Sequence, residues 1–220
     1  MMVTPEEMNL DELRAAMAPM LPAHAVFDGW TEEALGMAAQ ELKVPPGRAK
    51  LAFPGGAGEM VDAWFDHIDK EMLIAFPPER IAQMKIRDRI RELLSFRFET
   101  MRPHREALRR ALAVLAMPQN LGLAATLAWR SADRIWRLAG DTATDFNHYS
   151  KRAILVGVYG STTLVFLDDE DDDLAATRAF LGRRIDDVMR FEKFKASWRG
   201  TRERLPSLSR FLGRLRYPVV

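Results

Sequence analysis

Apolar positions recur at helical spacing along almost the whole chain. Between residues 6 and 17, Met8, Leu10, Leu13 and Met17 gather on one side of a short helix. Trp30 to Leu42 predicts a second, with Leu35, Ala38, Ala39 and Leu42 on one face and Thr31 as its N-cap. Pro45-Pro46-Gly47 ends it, a short piece covers 48–53, and Pro54-Gly55-Gly56 breaks the chain again. From about Gly58 to Ile74, Met60, Val61, Trp64, Phe65, Ile68 and Met72 point to a core. Pro77-Pro78 opens one long helix over 79–101, carrying Ile81, Met84, Ile86, Ile90, Leu93, Leu94, Phe96 and Phe98. Pro103 starts the next helix at its first turn, and Pro118 separates that from another ending near Ala139-Gly140. An almost wholly apolar helix spans 145–167, and the acidic run 168–173 reads as a solvated loop. A helix over 174–198 and a last one over 205–217 complete the pattern. The β-branched run 153–166 continues the Phe146/Tyr149 period, so it reads as helix and the chain as all-α.

Breaks and charge divide the chain into an arm with a short helix (1–28), a helix–break–helix region (29–74), a bundle (75–198), and a linker with an amphipathic helix (199–220). The net charge of +1 hides a strong polarity. Residues 1–70 hold five basic against twelve acidic side chains, a net −7. Residues 190–220 hold nine basic against two acidic, a net +7. No cysteine is present, which excludes disulfides, thiolate metal sites and thiol nucleophiles. The opening MMVTPEEMNLDELRAAM has neither a basic secretory n-region nor Arg-rich transit character, and no apolar run reaches the roughly 20 residues of a membrane span. These features lead us to expect a soluble intracellular protein.

The elements between Trp30 and Ile74, with Phe53-Pro54-Gly55-Gly56 after the short helix, resemble the amino-terminal helix-turn-helix of TetR-type regulators. DNA binding needs cations to neutralise phosphate, and here only Arg48 and Lys50 serve within a segment of net −7. The motif therefore reads as degenerate scaffold with no nucleic acid expected. A TetR-type regulator with a hydrophobic effector pocket is the alternative.

Catalysis finds little support. No Glu-x-x-His occurs for a carboxylate-bridged metal pair, and Asp145 with His148 makes two ligands, too few for a site. Ser161, Thr162 and Thr163 lie in an apolar helix and read as hydroxyls bonded to the preceding turn. We expect no catalytic residue, metal or cofactor. Leu127, Trp129, Leu155, Val158, Tyr159, Val165 and Phe166, with Gly157 and Gly160 leaving space beside the helix, form either a plain core or an apolar pocket for a lipid. In the tail, Leu205, Leu208, Phe211, Leu212 and Leu215 share an arc of about 120°, with Arg210 and Arg214 opposite, as in an interfacial helix on an anionic bilayer. Leu208, Arg210, Phe211, Leu212, Arg214 and Leu215 are the expected membrane contacts.

The segments LAMPQN (115–120) and RIWRLAGDTATDFNHYSKRAILVGVYGSTTLVFLDD (134–169) resemble the Coq-nine family of ubiquinone biosynthesis proteins. The ordered match of Trp136, Ala139-Gly140-Asp141, Thr144-Asp145-Phe146-Asn147, Tyr149, Arg152, Tyr159 and Thr162-Thr163 carries the likeness. The resemblance implies a TetR-like helical fold, binding of a phospholipid or polyprenyl quinone intermediate, and assistance to the demethoxyubiquinone hydroxylase as an accessory rather than an enzyme. It places the partner contacts at Ile135, Gly140, Asp141, Asp145, His148, Tyr149 and Arg152. His148 departs from the eukaryotic members, which tend to carry Trp there. The expectation is a homodimeric bacterial version, cytoplasmic and peripheral to the inner membrane.

Overall fold

The computed structural model describes residues 7–142, 144 and 146–204. Their regular structure is entirely helical: α1 Leu10–Met17, α2 Leu21–Asp28, α3 Glu32–Glu41, α4 Pro46–Ala52, α5 Ala57–Ala75, α6 Pro78–Ala82, α7 Ile86–Met101, α8 Arg105–Leu115, α9 Leu121–Leu138, α10 Phe146–Asp168 and α11 Ala175–Arg204. The chain divides into two compact units, Met1–Leu181 and Gly182–Val220. Among the described residues no single helix is long and apolar enough to cross a membrane.

Local chemistry sets the helix starts. Asn9 and Glu12 form a reciprocal capping box for α1, and Thr31 caps α3. Pro46 and Pro78 sit in the first turns of α4 and α6, where a missing N–H costs nothing. In the first unit α1, α3 and α4 pack together, and α2 lies across α3 and α8. Trp30 joins the two regions, stacking on Trp64 at 5.5 Å and donating its indole N–H to the Ala107 carbonyl at 3.0 Å. Beyond it α5, α7, α8, α9 and α10 enclose a core of Met60, Ile68, Leu93, Leu94, Phe98 and Phe166. The second unit's described part is the continuation of α11, carrying an Arg184–Asp187 ion pair at 2.7 Å.

Four details differ from the sequence pattern. Residues 18–28, expected as part of an arm, contain the packed helix α2. The helix expected over 79–101 is two helices, because the chain turns at Gln83–Lys85. There the carbonyls of Ala82 and Met84 accept hydrogen bonds from the Arg89 guanidinium, at 3.0 and 2.9 Å. Ile86, one of the apolar positions of the expected helix, is exposed. The acidic run is only partly solvated: Asp169 is buried and accepts from both the backbone N–H and the hydroxyl of Thr177, satisfying a first-turn donor of α11. Finally, α11 continues past Trp198 to Arg204, so 199–204 is helix and not linker. No proline intervenes there, and Arg and Glu favour helix enough to carry Gly200.

Candidate functional site

Two charged networks converge on the side of the bundle built by α9 and α10. The inner one is buried. Asp69 of α5 and Arg97 of α7, both without solvent exposure, form an ion pair. Arg97 also donates to the Ser131 hydroxyl and to Tyr159 Oη, each at 3.2 Å. Arg134 of α9 reaches the other Asp69 oxygen at 2.7 Å and Asp66 at 2.7 Å. Four helices are thus tied to one another through charges that have partners within the fold.

The outer network shapes a surface. Helix α9 ends in a Schellman motif: Gly140 N–H donates to the Arg137 carbonyl, and Asp141 N–H to the Trp136 carbonyl. Gly140 has φ +88°, which L side chains avoid, so glycine is required at this position. The turn delivers Asp141 to α10, where it accepts from Arg152 at 2.9 Å and Lys151 at 2.6 Å. Arg152 is itself buried, with its Nε donating to Asp133 at 2.7 Å and an Nη to the His148 carbonyl at 3.0 Å. Asp133 takes a further bond from Arg137. The Trp136 indole donates to the Lys151 carbonyl, with the Lys151 ammonium over its ring. Between these groups lies an open hollow of about 330 Å³, lined by Arg137, Asp141, Thr142, Thr144, His148, Tyr149 and Arg152. Tyr149, 61% exposed, forms its rim and meets His148 edge-on at 5.1 Å and the tilted Trp129 ring at 6.1 Å.

The network fixes its acid response. Burial alone would raise the carboxyl pKa of Asp133, but bonds from Arg152 and Arg137 outweigh it and hold the group below its ordinary 3.8. Asp66 is likewise lowered: Lys70 and Arg134 overcome its burial. Carboxylates with lowered folded values stabilise above the unfolded value and lose that contribution as pH falls through the folded one. The thermal midpoint should therefore stay level from about pH 7 to 5 and fall below about pH 4. Asp133→Asn should shrink that acid limb, as read by calorimetry; an identical limb in the variant would contradict the assignment.

The expected partner residues are largely brought together. Gly140, Asp141, His148 and Tyr149 form the hollow and its turn, with Arg152 beneath. Ile135 is fully buried, and Arg152 is nearly so while lining the hollow from beneath. Asp145 lies outside the described residues. Of the expected lipid residues, Leu127, Leu155, Val158 and Phe166 are interior, while Tyr159 and Val165 are part-buried. Phe98 packs against both Tyr159 and Phe166. Trp129 stands at the surface with Tyr149, a placement its apolar character did not disclose. The hydroxyls of Ser161, Thr162 and Thr163 bond to carbonyls one turn back, as expected.

Sequence reasoning missed other features. Asp133 and Arg137, one turn apart, were legible as an i,i+4 pair; Asp69, Arg97 and Arg89 had no local signal. A stripe on α10 was also missed: Tyr149, Ala153, Gly157, Gly160 and Leu164 are all exposed, within one arc of about 80° and roughly 22 Å long. It carries no charge. Lys50 of α4 pairs with Glu32 of α3 at 2.6 Å and Arg48 donates to the Met8 carbonyl, so both cations of α4 have partners within the fold. Leu208, Arg210, Phe211, Leu212, Arg214 and Leu215 lie outside the described residues.

Residues 121–192, which hold α9, α10 and the first part of α11, match the COQ9 family model. The chain is 31% identical over 191 residues to the mitochondrial ubiquinone biosynthesis protein COQ9 of Rattus norvegicus, covering 84% of this chain and 60% of that protein. The Homo sapiens protein is 29% identical over 191 residues, with 84% and 58% covered. The chain thus spans about three fifths of the length of these relatives. The crystal structure of a TetR transcriptional regulator from Nitrosomonas europaea superimposes with a TM-score of 0.64 at 22% identity, over 79% of this chain and 96% of that one. This similarity establishes a TetR-like fold. The resemblance to the Coq-nine family read from residues 134–169 is borne out: the chain is similar to COQ9 proteins over most of its length.

Proposed function

With the COQ9 relationship as premise, we propose that this chain is a non-catalytic, lipid-binding accessory protein of ubiquinone biosynthesis. It presents a membrane-held polyprenyl quinone intermediate to the demethoxyubiquinone hydroxylase. The observation that carries this reading is the position of Tyr149, which belongs both to the rim of the α9–α10 hollow and to the uncharged stripe of α10. A polyprenyl tail laid along Ala153, Gly157, Gly160 and Leu164 would bring its head group to the hollow. The surface around Gly140, Asp141, His148 and Tyr149 would receive the hydroxylase.

The physical need is plain. The quinone is anchored in the bilayer by its tail, whereas the chemistry happens at its head. Covering part of the tail by protein offsets the cost of lifting it from lipid, at about 25 cal/mol per Å² of apolar surface kept from water. Side chains at Gly157 or Gly160 would meet no neighbour, so the stripe has room for a chain against the helix. The cationic segment after residue 190 supplies the charge that holds the protein peripherally on an anionic inner-membrane surface. A homodimer is part of the same proposal, with light scattering as its check. The regulator alternative is weakened by the internal pairing of Lys50 and Arg48 and by the net −7 of the first 70 residues.

Organic extraction of the purified protein followed by mass spectrometry tests the lipid claim. Recovery of an isoprenoid or phospholipid is expected, with a reduced yield from Gly157→Glu. A folded protein yielding no lipid from wild type would overturn it. Gly160→Glu, which adds a charge on an exposed face, should lower the yield about tenfold with the thermal midpoint nearly unchanged.

A further inference from the structure

We infer that Arg89, distant in sequence from every residue of the hollow, is a positioning residue for the docking surface. It acts by locking the α9–α10 turn to the elbow between α6 and α7. This inference rests on the docking role proposed above.

Arg89 lies in the first turn of α7 and is half-buried. Its guanidinium makes three hydrogen bonds to backbone carbonyls in two parts of the chain. Nε donates to Met84 at 2.9 Å, in the elbow after α6, and Nη2 to Ala82 at 3.0 Å, the last residue of α6. Nη1 donates to Ala139 at 2.8 Å, fifty residues away at the end of α9. One cation therefore sits at two helix C-termini, where exposed carbonyls and the dipole's negative end favour positive charge. Gly140 is fitted to this arrangement: a Cβ there would lie 3.0 Å from Arg89 Nη1. The consequence reaches the surface through Asp141, which follows Gly140 and holds Lys151 and Arg152 of α10. Remove the guanidinium, and the Ala139 carbonyl loses the donor that orients the turn. Asp141 is then free to shift relative to α10, and the hollow loses its shape.

Lysine cannot substitute. Its ammonium is a compact point charge, whereas the three carbonyls are reached by a planar fork of N–H groups. Arg80 is the internal control, since it also ties down the α5–α6 region by donating to the Ala75 carbonyl at 2.8 Å and stacking on Phe76, away from residues 139–141.

Two measurements on the full-length chain test the inference. Hydrogen exchange of the Gly140 and Asp141 amides should accelerate about tenfold or more in Arg89→Ala and Arg89→Lys and remain as in wild type in Arg80→Ala. The dissociation constant for the hydroxylase should rise about tenfold in both Arg89 variants but not in Arg80→Ala, even at equal loss of thermal midpoint. Unchanged exchange at 140–141 in Arg89→Ala would overturn the positioning role. So would a loss of affinity shared equally by Arg80→Ala, which would mark general destabilisation. If wild type itself fails to bind the hydroxylase, the docking reading falls, and the exchange measurement still decides whether Arg89 holds the turn.

Discussion

Replacing Arg97 with Met is expected to destabilise the protein by about 3–5 kcal/mol, because it leaves the buried Asp69 short of its main partner. Against a total stability of roughly 5–15 kcal/mol for a domain, such a loss is large enough to leave the protein partly unfolded at physiological temperature. Asp69 would keep Arg134, while the Ser131 and Tyr159 hydroxyls would each lose a donor in the interior. The double variant Asp69→Leu, Arg97→Met should recover a substantial part of the loss, since it removes both charges. Arg134 would still hold Asp66. Urea titration of the two singles and the double measures the coupling. A single-variant loss below about 1 kcal/mol, typical of solvent-exposed pairs, would contradict a buried tie among α5, α7, α9 and α10.

The second large effect concerns the tail. Changing Phe211, Leu212 and Leu215 together to Ser removes three of the five apolar side chains that the sequence places on one arc and keeps all nine cations of residues 190–220. Complete burial of such side chains is worth roughly 1.5–3 kcal/mol each, and less at an interface. Binding to liposomes containing anionic lipid should fall by about two orders of magnitude or more, leaving weak binding that salt abolishes. The thermal midpoint should barely move. A marked drop in midpoint with liposome binding intact would show instead that the segment is packed as part of the core.

Periodicity made the helices of the bundle legible because each buries one face against the same core. Met60, Val61, Trp64, Ile68 and Met72 on α5, and Leu93, Leu94 and Phe98 on α7, are buried where the spacing put them. The break at residues 83–85 was not legible. The carbonyls it frees are taken up by the side chain of Arg89, whose partners at 82, 84 and 139 are a tertiary arrangement with no local pattern. Asp169 was hidden for a similar reason, since its role depends on Thr177 eight residues on. At the site, the turn residues Gly140 and Asp141 were identifiable through the family resemblance. The division between residues that face outward and residues that hold them was not: Ile135 and Arg152 share helical faces with the interior, and only packing shows which positions remain open. Trp129 illustrates the converse, because an aromatic side chain looks the same in a sequence whether it is buried or stacked at the surface on Tyr149.

In the proposed role, the chain delivers a lipid head group to an enzyme by way of the Tyr149 rim. The most direct test of that role is hydroxylase turnover in liposomes containing demethoxyubiquinone, measured with wild type, with Tyr149→Ala and without the chain. The account predicts that wild type raises turnover, and that Tyr149→Ala loses most of that gain while keeping its thermal midpoint and its binding to the liposomes. Equal turnover with and without the wild-type chain, when both proteins are shown to be on the membrane, would contradict it.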